Sequence, residues 1–192
     1  MIGALQIGLG ARQTTSASSV PVNIFNTKYA ISSVAYSESN LRAAWSATTD
    51  LTAILIAPKS SGKWAFEGVV VAQAGNNSRI GVLDMTALPA PSVGIGNDAA
   101  GYGFISNSGN KITGASSVAY ASAWTLGDII TVLGDFDGGN LSFATNGVDN
   151  GVAYTGLAGS FIPAVGETNS QNVDWRIASA LTYSFSGYSL WR

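Results

Sequence analysis

Short apolar runs alternate with clusters of glycine, asparagine and aspartate along most of this chain. No segment shows sustained helical periodicity with capping residues, so we predict almost no helix. Regular turn punctuation between strand-sized runs is typical of an antiparallel all-β sandwich or barrel. The predicted strands are Leu51–Ala57, Trp64–Ala72, Arg79–Asp84, Tyr102–Ser106, Ser117–Ser122, Asp128–Asp135, Leu141–Thr145, Phe161–Val165 and Val173–Ala178.

The segment Asp128–Asp135 gives the clearest evidence for two stacked sheets. It forms the most convincing hairpin with Leu141–Thr145, because the turn between them is rich in glycine and aspartate. The run Ile129–Leu133 is almost entirely apolar, which indicates a strand covered on both faces. We therefore predict a two-sheet antiparallel β-sandwich. Pro163 implies an edge or bulge position for its strand, because proline cannot donate to a ladder.

The two ends of the chain differ from the middle. Residues 1–40 are predicted to be an extended arm, 41–178 the sandwich and 179–192 an aromatic tail. The tail either folds back as an edge strand or docks on a partner. Trp45 is expected in the core, at the start of the first sandwich strand. The string SSVAY occurs at 32–36 and again at 116–120, and we interpret this echo as chance in a serine- and alanine-rich chain.

The composition excludes several classes of function. Histidine and cysteine are both absent, which excludes a Ser-His-Asp triad, a zinc site of the usual ligands and a disulfide. A net charge of −2 argues against nucleic-acid binding, and no stretch is long enough to cross a membrane. Only 10% of the residues are charged, so a free monomer would dissolve modestly and some apolar surface is expected to be covered.

The pattern of acidic residues favours a structural role in turns over a metal-binding or catalytic role. Asp135 and Asp137 alternate as in a calcium loop, but a hairpin turn that uses aspartate and glycine for their backbone angles is the favoured interpretation. Glycoside hydrolysis needs two carboxylates about 5–10 Å apart, and no E-x-D-x-E string provides them. We expect no enzymatic activity, no metal and no cofactor.

Several short motifs follow one another in an order that resembles the SPRY domain, the sandwich core of the B30.2 module. They cover about residues 40–178, and their order is more specific than any one of them. The motifs are Gly62–Glu67 (GKWAFE), Arg79–Val82 (RIGV), Tyr102–Phe104 (YGF), Gly127–Ile130 (GDII), Leu133–Asp135 (LGD), Leu141–Phe143 (LSF), Asn146–Gly147, Gly151–Tyr154 (GVAY) and Phe161–Val165 (FIPAV).

This resemblance implies a concanavalin-like jelly roll that acts as a binding scaffold, with Glu67 in a structural role. Gly68 departs from the family pattern, which often has a β-branched residue there. The loops that contact partners in the family correspond to Ala87–Asn97 and Glu167–Asn172. We take as candidate contact residues Leu88, Pro89, Pro91, Asn97, Asp98, Tyr102, Thr168 and Asn169.

The composition also resembles that of tailed-bacteriophage virion proteins. This resemblance implies a non-enzymatic virion protein of the capsid, tail, fibre or baseplate, whose partners are other virion subunits and copies of itself. The expected location is the virion, and the arm would anchor the protein by strand addition. The alternative is a module that binds carbohydrate or a receptor for host recognition, in which asparagine-rich loops and Tyr102 would offer polar groups. A cellular adaptor for short peptides is a third hypothesis.

Overall fold

The chain folds into two antiparallel sheets packed face to face, as the sequence predicts. The computed structural model describes residues 24–29, 34–46, 50–73, 75, 77–90, 92–168 and 172–192. Residues 1–23, the greater part of the predicted arm, lie outside these. Within the described ranges, helical structure is limited to two short 3-10 turns, Glu38–Asn40 and Met85–Ala87.

The first sheet, sheet 1, has eight strands. Seven of them follow one another across the sheet, and the last short strand lies parallel to the beginning of β4. In spatial order they are β1 (Val34–Ser37), β2 (Arg42–Trp45), β13 (Val173–Ile177), β4 (Lys63–Gln73), β9 (Ile129–Asp135), β10 (Asn140–Thr145) and β11 (Val148–Tyr154), with β14 (Ser189–Leu190) beside β4.

The second sheet, sheet 2, has six strands. In spatial order they are β3 (Leu51–Ile54), β12 (Phe161–Glu167), β5 (Ser78–Asp84), β6 (Gly101–Ile105), β7 (Asn110–Thr113) and β8 (Ser116–Ala119). Each predicted strand overlaps one of these elements, with shifted ends. Among the strands of the described residues, β1, β2, β7, β11 and β14 are not in the predicted set, because they are short or interrupted by polar residues.

Apolar side chains that alternate along the strands form one core between the sheets. Phe66 and Trp175 of sheet 1 are fully buried there, as is Ile80 of sheet 2. Gly68 is small for a reason: a Cβ at this position would lie 2.8 Å from Ile80 Cδ1 and 3.1 Å from the Trp175 ring. The departure from the family pattern therefore makes room for a large neighbouring ring.

Pro163 does not lie at an edge, which was one of the two positions expected for it. Its strand, β12, lies between β3 and β5 and not at an edge of the sheet. The last pair between β12 and β3 is Ala164 with Ile54, so Pro163 lies one residue beyond the paired part of β3. Its carbonyl accepts from Leu55 N at 3.0 Å, and the missing N–H falls where this ladder ends.

Both flanking regions pack against the sandwich where they are described. Phe25, within the predicted arm, is buried and forms a bridge with Leu55 beside β3. Trp45 is in the core, which confirms that expectation. The tail folds back, the first of the two alternatives: β14 pairs with β4, and Trp191 is fully buried between the sheets.

Candidate functional site

The two predicted contact regions meet at one end of the sandwich, which we call the rim end. Here β5 begins, β12 ends, and the segment 92–100 closes over the outer face of sheet 2. Gly94 and Thr168 touch so closely that a Cβ on Gly94 would lie 2.5 Å from Thr168 Cγ2. The fold therefore brings the loop before β6 against the loop before β13.

A set of polar side chains cross-braces this end, and we call it the polar rim. Asn97 is central, because its Oδ1 accepts from Arg79 Nη1 at 2.7 Å and its Nδ2 donates to Asp50 Oδ2 at 2.6 Å. Asn77 Nδ2 donates to Thr168 Oγ1. The members are Asp50, Asn77, Arg79, Asn97 and Thr168. Described residues from four separate connecting segments are thereby linked to one another or to β5 by hydrogen bonds, without any partner.

Two ionisable groups of the rim end are buried. Arg79 is 7% exposed and also donates to the carbonyl of Ile95 at 2.7 Å, while burial lowers its pKa. Glu167 is 1% exposed and its Oε2 accepts from Ser78 Oγ at 2.8 Å. Burial raises the pKa of Glu167 to about 7, because the charged form loses its hydration. The rim end therefore holds charge in a poorly hydrated setting.

An apolar groove adjoins the polar rim on the outer face of sheet 1. Its volume is about 460 Å³, and its floor is formed by the small side chains Ala35, Ala44 and Ala72 together with Asp174, which lies between Ala44 and Ala72 on the intervening strand. Gln73 and Asn172 lie at its rim end. A concave apolar surface bordered by polar groups is the usual form of a site that binds a peptide or small ligand.

The other candidate contact residues lie elsewhere or have structural contacts. Leu88 packs on the outer face of sheet 2 with Tyr29, whose hydroxyl donates to the carbonyl of Pro89. The Asp98 carboxylate accepts from Ala100 N at 3.0 Å within a turn. Tyr102 lies between the sheets, with its ring centroid 5.2 Å from that of Tyr154. Pro91 and Asn169 are outside the described residues. As contact residues, all eight stay predictions.

Sequence reasoning missed Asp50 and Arg79 as members of this site. Arg79 was noted only as part of a strand motif, and Asp50 was not singled out. One signal was available, because Arg79 directly precedes the apolar run Ile80–Leu83 within β5. A charged residue in a run that is buried on both faces needs polar partners, and those partners mark a site.

The acidic turn at the opposite end uses its carboxylates within the protein. Asp135 Oδ2 forms an ion pair with Lys63 Nζ at 2.9 Å, and Asp135 Oδ1 accepts from Gly138 N at 3.0 Å. Asp137 Oδ1 accepts from Gly62 N at 2.9 Å. Within the described ranges, no three acidic side chains gather into a group that could hold a metal ion.

The fold is a two-sheet antiparallel β-sandwich, and polar side chains hold its rim end together. The sequence model of the SPRY domain family matches residues 63–177, which is more than half of the chain. The chain therefore belongs to the SPRY domain family. Domains of this family are generally modules for protein–protein interaction, not enzymes.

Two relatives illustrate the similarity. The chain is 27% identical over 157 residues to a Drosophila melanogaster protein described as "Ran-binding proteins 9/10 homolog". The match covers 74% of this chain but only 16% of that protein. The structure is similar to the SPRY domain of human HERC1, with a TM-score of 0.71 at 16% identity, over 80% of this chain and 96% of that domain.

Among the described residues, no helix is both long and apolar enough to span a membrane.

Proposed function

We propose that this chain binds a segment of a partner protein at the rim end of its sandwich. The observation that carries the proposal is the meeting of the two candidate loops, Gly94–Asn97 and Thr168, beside an apolar groove of about 460 Å³. The polar rim holds these loops in place, so little conformational entropy is lost when a partner binds. The groove supplies the apolar area that gives affinity.

The expected partner chemistry follows from the groove and the rim. Small alanine side chains form most of the groove floor around Asp174, so an extended segment with small side chains fits there. The Oδ1 and Nδ2 atoms of Asn97 each hold one partner within the rim, so Asn97 positions the loop. Polar contacts to the segment come from backbone groups of the braced loops.

A selection from a random peptide library against the full chain tests this proposal. We expect selected peptides to bind the unaltered chain, and Ala44→Arg, which fills the groove, to weaken their binding at least about tenfold. Ala158→Arg is the matched control, because Ala158 is exposed in the loop before β12, at the opposite end. Equal binding by all three proteins, measured by calorimetry, would place the site elsewhere.

A narrower form of the proposal places the module on a tailed-phage particle, in contact with virion subunits. Its support is compositional: no histidine, no cysteine and few charges. The two relatives named above come from animals and add nothing to it. Virions purified from an infected culture provide the check, because a chain that never co-purifies with particles is not a virion component.

The alternative of glycan or receptor binding for host recognition rests on the asparagine-rich loops of the rim end. It predicts binding on a glycan array that is lost in Asn97→Ala. The structure gives this alternative less support, because the Asn97 amide is already hydrogen-bonded at both ends.

A further inference from the structure

The edge strands of the two sheets are protected to different degrees. Along β3, Phe25 forms a bridge with Leu55, and Asn26 N donates to the carbonyl of Ile54 at 2.8 Å. Along β11, Lys111 Nζ donates to the carbonyl of Ala153, and the Tyr120 hydroxyl donates to the carbonyl of Gly151. Such contacts keep an edge from pairing with another chain.

The edge formed by β8 lacks protection of this kind. All four residues of Ser116–Ala119 are exposed, and the Val118 side chain is 51% exposed. No charged residue occurs from 112 to 127, so β8 and its flanks carry neither the lysine nor the other charges that usually guard an edge. In the described part of the chain, β8 pairs with β7 alone.

The hairpin geometry shows which backbone groups face outward. The turn between β7 and β8 has two residues, Gly114 and Ala115, both with positive φ, and it is flanked by the pair Thr113 and Ser116. The residues that flank such a turn exchange the first ladder hydrogen bonds. Alternation along β8 then directs the N–H and C=O groups of Ser117 and Ala119 away from β7.

We propose that β8 is a self-association site, at which a second copy of this chain pairs antiparallel with the first. A two-fold axis at Val118 places Val118 of one copy opposite Val118 of the other, in a non-hydrogen-bonded pair. Ser117 of each copy then forms a hydrogen-bonded pair with Ala119 of the other. This register uses every outward amide and carbonyl of β8.

A second copy fits this edge because the edge is complementary to itself. An antiparallel two-fold places identical residues near one another, so any charge near the axis would face a like charge. None occurs from 112 to 127, and Lys111, which lies opposite Val118 on β7, donates its ammonium to the carbonyl of Ala153 in sheet 1. The self-pairing also covers part of the exposed Val118 side chain, and removing apolar surface from water is favourable. Because the paired strand has four residues, the dimer is expected to be weak and reversible.

A single cysteine tests the register, because the natural chain has none. The two Cα atoms of a non-hydrogen-bonded antiparallel pair lie about 4.5 Å apart, within the range that a disulfide needs. We expect Val118→Cys to form a covalent dimer under mild oxidation of the full chain. The matched control is Val152→Cys, an exposed valine of β11 at 54% exposure, and we expect at least about tenfold less dimer from it. Equal cross-linking by both, or dimer from Val152→Cys alone, would overturn the proposed site.

A second pair of variants tests the hydrogen bonds without any covalent trap. Ser117→Pro removes an outward N–H while leaving the ladder between β7 and β8 intact, and Ser117→Ala keeps that N–H. In sedimentation equilibrium we expect the unaltered chain and Ser117→Ala to dimerise with rising concentration, and Ser117→Pro to dimerise at least about tenfold more weakly. If Ser117→Pro fails to fold, Val118→Lys replaces it, because it places like charges at the axis. A chain that stays monomeric throughout, or variants that dimerise equally, would refute self-association through β8.

Discussion

The two ends of the sandwich are closed by different chemistry. At the end opposite the rim, which we call the tail end, Trp191 is fully buried against Phe136 and Phe66, at centroid distances of 5.4 and 5.9 Å. At the rim end, amide, guanidinium and carboxylate groups hold the loops instead. The chain thus seals one end with its own aromatic residues and keeps the other polar. The rim end, where hydrogen bonds between polar side chains hold the loops, is the end better suited to a partner.

The largest loss of stability is expected from Trp191→Ala, which removes the buried ring that closes the tail end. The substitution removes a fully buried ring and the hydrogen bond from Trp191 Nε1 to the carbonyl of Ala57. Loss of a buried tryptophan typically lowers the free energy of unfolding by about 3–5 kcal/mol. Urea unfolding measures it. Arg192→Ala, at the exposed neighbour, is the control, and equal midpoints for the two variants would mean that the tail does not support the core.

The next largest effect is expected from Glu67→Gln, which loosens the tail where it crosses the outer face of sheet 1. Glu67 is buried and accepts from the backbone N–H groups of Thr182 and Tyr183 at 2.7 and 2.9 Å. In glutamine an NH₂ group replaces one carboxylate oxygen, so one of the two backbone N–H groups loses its acceptor. The loss costs about 2 kcal/mol of unfolding free energy.

Glu38→Gln is the matched control for this measurement, because Glu38 is exposed and its ion pairs face water. If the control destabilises the protein as much as Glu67→Gln, the buried hydrogen bonds are not what holds the tail.

Features that depend on residues close together in the sequence could be predicted from the local pattern of apolar and turn residues. The hairpin of β9 and β10, the core position of Trp45 and the two-sheet fold all follow from alternation and turn residues. The burial of Trp191 could not be predicted in the same way, because it depends on a parallel pairing between residues more than a hundred positions apart. The family resemblance indicated a structural role for Glu67 but not the tail amides that it binds.

At the rim end, too, local sequence indicated some residues, whereas others depend on contacts between distant parts of the chain. Asn97 and Thr168 were predicted as contact residues, but Arg79 was not, because its burial depends on the loop that folds over it.

The string SSVAY contributes to two edge strands. Val34 is half-buried against the core and Val118 is exposed, although their next two residues are identical. Position in the sheet, and not the string, decides which valine is covered.

Glu167 makes the stability of the rim end depend on pH. Burial raises its pKa from 4.5 to about 7, so the folded state binds a proton more tightly than the unfolded state. The resulting stabilisation is complete below about pH 4.5 and is lost as the pH rises to about 7. The Arg79 charge acts in the opposite direction and favours the ionised form of Glu167, but burial outweighs it and the pKa of Glu167 stays raised.

Glu167→Gln isolates this effect, because glutamine has the same shape and no titration. We expect urea midpoints of the unaltered chain to fall between about pH 5 and pH 7 relative to those of Glu167→Gln, which should stay flatter. Glu38→Gln again serves as the control and should keep the slope of the unaltered chain. A slope that survives in Glu167→Gln would assign the pH dependence to another group.

The smallest effect is expected from Asn97→Ala, which removes the central brace of the polar rim. Arg79 and Asp50 each lose one hydrogen-bond partner, and the cost to unfolding free energy is about 1 kcal/mol because Arg79 keeps its hydrogen bond to the carbonyl of Ile95. Asp137→Ala, in the exposed turn at the tail end, is the control and should change much less. The informative measurement is hydrogen exchange of residues 92–97. Faster exchange there in Asn97→Ala, with the strands unchanged, would show that polar bonds hold this end open for a partner, whereas unchanged exchange would mean that Gly94 and its neighbours are held by packing alone.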